Sequence, residues 1–264
     1  MNVRAPTEEQ VAHSNVFDVL ARAGFVARGV VYVIVGILAI QVALGTTSTS
    51  PTQKGALQTI AHQPFGHGLL VLTAIGLGGY ALWRLFHALV GHGPDRSDST
   101  FDRVAAGASG IVYAGTCALA VEILAGSGSQ SGSAAGVLGW SGGTWLVGIA
   151  GAVLLGVAGY QAYRGLTSDF LKDSKTEEMS ATVRKWVELL GSVGHLARAL
   201  AFGLVGVFLI KVAAEFDPRK AVGLDGELAK LAGTSYGPFL IGLVAAGLIA
   251  FGIYSLSDAR YRRI

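Results

Sequence analysis

The chain is 264 residues long, 52% hydrophobic and only 14% charged, with 38 glycines and a formal net charge of +3. Soluble domains carry about 25% charged residues, so this composition, with a mean hydropathy of +0.53, excludes an ordinary water-soluble domain and points to an integral membrane protein. The single cysteine, Cys117, excludes a disulfide framework and a multi-Cys metal site. Basic residues dispersed among apolar stretches speak against a nucleic-acid partner despite a pI near 9.0.

Residues 1–15 are polar and acidic and lack the basic start and early apolar stretch of a cleavable signal, so the first hydrophobic span is expected to insert and remain. A bilayer core of about 30 Å needs about 20 helical residues. Six stretches meet or approach that length: Phe25–Leu44, Gly68–Leu89, Val104–Leu124, Thr144–Leu166, Val193–Ala214 and Gly237–Ser257. Each is expected to be helical, because an isolated strand leaves unpaired backbone groups in lipid. Before the first span, Val16–Arg22 reads as an interfacial elbow. After it, Ala56, Leu57, Ile60 and Ala61 read as a short amphipathic turn lying on the membrane surface. Residues Gly126–Ser133 form a Gly/Ser linker, and Lys175–Trp186 suits a surface helix ending in an interfacial Trp.

Of the 20 Lys and Arg residues, 15 lie at the N-terminus, the C-terminus and the loops after spans two and four, counting adjoining helix ends. The positive-inside rule then gives a multi-pass protein of the bacterial inner membrane with both termini cytoplasmic.

The spans repeat. A shift of 81 residues lays Arg22, Gly29, Val31 and Tyr32 on Arg103, Gly110, Val112 and Tyr113. A shift of 170 lays Gly24, Arg28, Tyr32 and Gly36 on Gly194, Arg198, Phe202 and Gly206. In the second helix of each pair, Tyr80, Tyr160 and Tyr254 correspond. The fold expected is therefore all-α, with six transmembrane helices arranged as three parallel hairpins about a pseudo-threefold axis. It forms one membrane domain over 1–264, with repeats at 16–92, 100–168 and 186–260. Small residues four apart, Gly148/Ala152/Gly156 and Gly242/Ala246/Ala250, with Gly68 and Gly76 in the first repeat, read as the seam between hairpins.

The pairing of Gly24-Phe-Val-Ala-Arg-Gly-Val-Val-Tyr32 with Gly76-Leu-Gly-Gly-Tyr-Ala-Leu-Trp-Arg84, three times over, resembles the DUF1206 family. That resemblance implies a bacterial membrane protein of three transmembrane helix pairs and brings no catalytic residues. The first repeat keeps the pattern best; Ser109 stands in place of Arg28, and Asp258 in place of Arg84.

Two polar sets stand out within the spans. Gln41, Glu122 and Lys211 each lie 13 residues after Arg28, Ser109 and Arg198, about 20 Å along a helix. They read either as a polar layer at the outer mouth of a central cavity, with a Glu122–Lys211 pair, or as side chains snorkelling to the headgroups. Arg28, Arg84, Arg164 and Arg198, together with Arg22 and Arg103, form the other set. They read as contacts for anionic headgroups or an anionic solute, or as the cytoplasmic positive belt. Tyr80, Tyr160 and Tyr254 read as a ligand-facing ring or as interfacial anchors, and His195 as a single polar histidine at an interface. Cys117, in the place of Gly36 and Gly206, reads as a small packing residue.

No nucleophile–base constellation, phosphate loop or metal-ligand spacing occurs, so catalytic residues, cofactors and metals are not expected. The partners expected are the lipid bilayer with its anionic lipids and a membrane protein. The leading functional reading is a non-enzymatic interaction or accessory protein. The alternative is a channel or transporter for a small solute or ion along the pseudo-threefold axis.

Overall fold

A computed structural model of the chain describes residues 15–47, 49, 51–90, 100–126, 143–215, 234 and 236–263. The N-terminal segment 1–14 and the Gly/Ser linker beyond Gly126 lie outside these. The described residues form seven α-helices: α1 (Asn15–Ala43), α2 (Gln53–Ala61), α3 (Gly66–Val90), α4 (Thr100–Leu124), α5 (Gly143–Thr167), α6 (Ala181–Glu215) and α7 (Gly237–Tyr261). All except the nine-residue α2 are long and apolar enough to cross a membrane, giving six spans.

Two local expectations dissolve into longer helices. The elbow at Val16–Arg22 is the continuous start of the 29-residue α1. The surface helix expected at Lys175–Trp186 is instead a short 3-10 turn (Thr176–Glu178) followed by the first turns of the 35-residue α6. At 1.5 Å per residue α6 is about 52 Å long, well beyond a bilayer core, so no break is needed between its polar start and its span. The chain leaves α5 through Ser168, which holds the left-handed conformation at φ 53°, and makes a 3-10 turn over Asp169–Asp173. That segment is pinned to the end of α7 by backbone bonds: Lys175 N donates to Tyr261 O at 2.7 Å and Arg263 N to Asp173 O at 2.9 Å.

The short α2 is not a surface turn. Ala56, Leu57 and Ile60 are buried, and the helix packs against α1, α3 and α4. Thr52 caps it by accepting from Gly55 N, satisfying one of the donors a helix start leaves open. Buried so, its apolar face joins the core cluster instead of the headgroup layer.

The spans pack in cyclic order. Each second helix of a pair packs against the first helix of the next: α3 on α4, α5 on α6, and α7 back on α1. Within pairs, α1 packs on α3 and α6 on α7. Among the described residues no packed seam joins α4 to α5, so the ring is open there. Buried fractions follow: 61, 50 and 50% of the most apolar windows of α1, α3 and α7 are buried, against 28, 22 and 22% for α4, α5 and α6. The molecule thus has a packed half and a thin half.

Close approach uses other glycines than the stripe expected. A Cβ on Gly151 would lie 2.8 Å from Gly206 O, and one on Gly252 2.7 Å from Gly29 O. By contrast a Cβ on Gly68, Gly156 or Gly242 would meet nothing within 4 Å among the described residues. Gly148 lies against Ala213 and Gly76 against Ala27, so the expected stripe is only partly a seam. Period-four spacing identifies a stripe, but which face it occupies is decided by the neighbouring helices. Gly36, Cys117 and Gly206 do occupy equivalent seams, on α7, α3 and α5 respectively; the Cys117 thiol donates to Ala74 O at 3.3 Å.

Candidate functional site

Four positions recur in each repeat: Arg28/Ser109/Arg198, then Tyr32/Tyr113/Phe202 four residues later, Tyr80/Tyr160/Tyr254, and Arg84/Arg164/Asp258 four residues after that. Residues four apart share a helix face. All twelve line one cavity of about 400 Å³ at the centre of the ring. It sits toward the end of the bundle that holds the start of α1 and the end of α7. Volumes of about 300–1,000 Å³ are usual for small-ligand sites.

The substitutions between repeats set the charges at the three seams. At α7 on α1, Asp258 faces Arg28: Arg28 Nη2 donates to Asp258 Oδ2 at 2.9 Å, Nη1 to Tyr80 Oη at 2.6 Å and Nε to Ser255 Oγ at 2.7 Å. The Arg28 guanidinium also lies 4.9 Å from the centres of both the Phe25 and Tyr80 rings. Both members of the pair are nearly inaccessible, at 6% and 2% exposure, and a buried charge of this kind must be paired and hydrogen-bonded to persist.

At α5 on α6 two arginines meet, and they turn apart. Arg164 Nη2 donates to Asp173 Oδ2 at 2.7 Å, drawing on the 3-10 segment after α5. Arg198 lies 4.3 Å from the centre of the Phe251 ring, a cation–π contact. The polar network sets the orientation of the Gln161 amide: its nitrogen donates to His195 Nδ1 at 2.8 Å, and its oxygen accepts from Arg198 Nη1 at 2.8 Å and Nη2 at 3.1 Å. At α3 on α4 the facing residues are Arg84 and Ser109, and Arg84 lies beside the Trp83 ring at 5.7 Å.

A fifth arginine closes the termini-bearing end. Arg262, just beyond α7, donates to Asp173 Oδ2 at 3.0 Å and lies 3.7 Å from Asp258 Oδ2. Burial opposes its charge, but Asp173 and Asp258 more than offset this and hold its pKa above the ordinary arginine value. Five guanidinium groups therefore line the cavity, while Asp258 and Asp173 are the carboxylates paired with them among the described residues. Arg84 and Arg198 have no carboxylate partner among the described residues.

Among the described residues, several buried polar atoms of cavity-lining residues have no partner: Arg84 Nε, Tyr113 Oη, Arg164 Nε, His195 Nε2, Tyr254 Oη and Asp258 Oδ1.

The arginines singled out from sequence, Arg28, Arg84, Arg164 and Arg198, are thus gathered in one cavity, and the three tyrosines line it with them. The other set is not gathered. Gln41 and Lys211 are exposed and Glu122 is half-buried. No Glu122–Lys211 ion pair forms among the described residues, and none of the three lines the cavity. His195 is buried within the bundle, 4% exposed, and stacks on Phe170 at 5.0 Å. Asp173, Gln161 and Arg262 escape sequence reasoning, because they lie outside the repeated pattern or at an unrepeated position within it.

Comparison with known proteins places this architecture. The chain is 33% identical over 250 residues to the uncharacterized protein YxxB of Bacillus subtilis (strain 168), an alignment covering 92% of this chain and 90% of that protein. No solved structure matches it. The model of the family described as Domain of Unknown Function (DUF1206) matches three times, at residues 23–91, 104–168 and 193–262, so that each helix pair is one copy. This six-span membrane protein belongs to the DUF1206 family.

Proposed function

We propose that this protein is a non-enzymatic anion-binding protein of the bacterial inner membrane, with its termini and the arginine-lined end of the cavity on the cytoplasmic side. The observation that carries the reading is the convergence of the repeat's four polar and aromatic positions on one cavity, where arginines outnumber the carboxylates paired with them. Arg84 and Arg198 bind the anion, because guanidinium presents several donors in a plane that fits carboxylate or phosphate oxygens. Arg28 and Arg164 shape the site, their charges already being met by Asp258 and Asp173. An accessory role has a dry, apolar axis as its expected mark, and the cavity weighs against it.

The test is anion binding by the purified full chain in lipid nanodiscs, measured by calorimetry with inorganic phosphate as the probe. A hydrogen bond to a charged group contributes about 1.5–3 kcal/mol, so Arg84→Gln and Arg198→Gln should each weaken binding about tenfold or more. No saturable binding by the wild type, or equal binding by both variants, overturns the proposal. A second reading, conduction along the axis, is favoured by Gln53, a cavity-lining residue contributed by α2 from the opposite side of the membrane. Phosphate efflux from proteoliposomes separates conduction from binding alone.

A further inference from the structure

The cavity has two unlike walls. Arg84 and Arg198 form one, with Tyr113, His195 and Tyr254 beside them; these last three residues are 4, 4 and 1% exposed. The other wall is apolar over most of its area and comes from the two helices that share no packed seam among the described residues: Val104, Ala108 and Val112 of α4, and Val153, Gly156 and Val157 of α5, with Ser109 and Tyr160 beside them. A Cβ on Gly156 would meet nothing within 4 Å among the described residues, which leave the space beside α5 open at the cavity edge. Within a bilayer, a break in the ring between two membrane-spanning helices opens onto acyl chains and not onto water.

From this division we infer that the ligand is an anionic membrane lipid, its phosphate held by Arg84 and Arg198 and its hydrocarbon leaving the protein sideways between α4 and α5. A freely soluble anion satisfies the arginine wall alone. A neutral lipid satisfies the apolar edge alone. A phosphate-bearing amphiphile satisfies both, and it needs no aqueous route to reach a site inside the membrane. The inference rests on the anion-binding reading and adds the source of the anion and its path.

The experiment is native mass spectrometry of the full chain in detergent with three probes: phosphatidic acid, phosphatidylcholine and inorganic phosphate. The wild type should retain phosphatidic acid at least about tenfold more tightly than phosphatidylcholine, a difference of about 1.4 kcal/mol. Gly156→Phe places a ring in the lateral opening and should lower phosphatidic acid occupancy by a similar factor, and by more than it lowers phosphate binding. Val112→Trp does the same from the α4 side and serves if Gly156→Phe fails to fold. Arg198→Gln should weaken both anions. Phosphatidic acid retention insensitive to both opening variants, equal retention of phosphatidylcholine, or binding of inorganic phosphate without the lipid overturns the lateral route and leaves the anion site standing. Binding of neither anion removes both.

Discussion

Arg28 and Asp258 are 230 residues apart in sequence and 2.9 Å apart in space, and their burial makes them mutually dependent. Removing one partner of a buried pair leaves an uncompensated charge, typically at a cost of about 3–5 kcal/mol. Asp258→Asn is therefore expected to lower the thermal stability of the detergent-solubilised protein sharply. Arg28→Met in the same chain should return part of that loss, because no buried guanidinium is then left unpaired. Unfolding temperatures of the two single variants and the double variant form a cycle, and additive losses would mean that the pair does not act as a unit. The loss of pattern at Asp258 is legible in the sequence as a departure from Arg84. Its meaning is not, because the partner lies on a helix of another repeat and no local spacing connects them. The opposite holds for Gln41, Glu122 and Lys211. Repeat equivalence puts them at one depth, but depth says nothing about rotation around the helix, and two of the three are exposed.

At the scale of helices, the six spans are readable because about 20 consecutive apolar residues match the thickness of a bilayer core and exceed what most soluble cores bury in one helix. Their seams are harder to read. Gly-rich helices carry small residues on several faces, and each face resembles a packing stripe until the neighbour is known. Gly151 and Gly156 show the contrast on one helix. A methyl group on Gly151 would meet Gly206 O at 2.8 Å, a backbone atom that cannot rotate away, so Gly151→Ala must push α5 from α6. Overpacking of this kind costs about 1–3 kcal/mol. Gly156→Ala meets nothing, and replacing helical Gly by Ala gains up to about 1 kcal/mol. The two variants should shift the melting temperature in opposite directions, and a matching loss in both would refute the α5–α6 seam. The burial of α2 is hidden from the sequence for a related reason. Its amphipathic pattern is the same whether the apolar face meets lipid headgroups or a gap between α1, α3 and α4, and only the packing of those three helices supplies the gap.

For the whole molecule, cyclic order links the repeat to the cavity. Three copies of one hairpin, each laying its second helix on the next copy's first, surround a space instead of filling it. Identical copies would put like charges face to face. Replacing Arg84 by Asp258 in the third copy and Arg28 by Ser109 in the second relieves two of those three encounters, and the Asp173 segment draws Arg164 away from the last. Such a ring requires the last span to return to the first within one chain. At that seam Ala39 of α1 and Ala245 of α7 pack in one buried cluster, so Ala39→Cys with Ala245→Cys adds only a sulfur to each existing Cβ and brings two thiols together. In a Cys117→Ser background, mild oxidation in native membranes should give an intramolecular disulfide, seen as a monomer of altered mobility on a non-reducing gel. Disulfide-linked dimers without that monomer would instead mean that α7 reaches α1 of a second copy. The cavity would then belong to an assembly and not to a single chain.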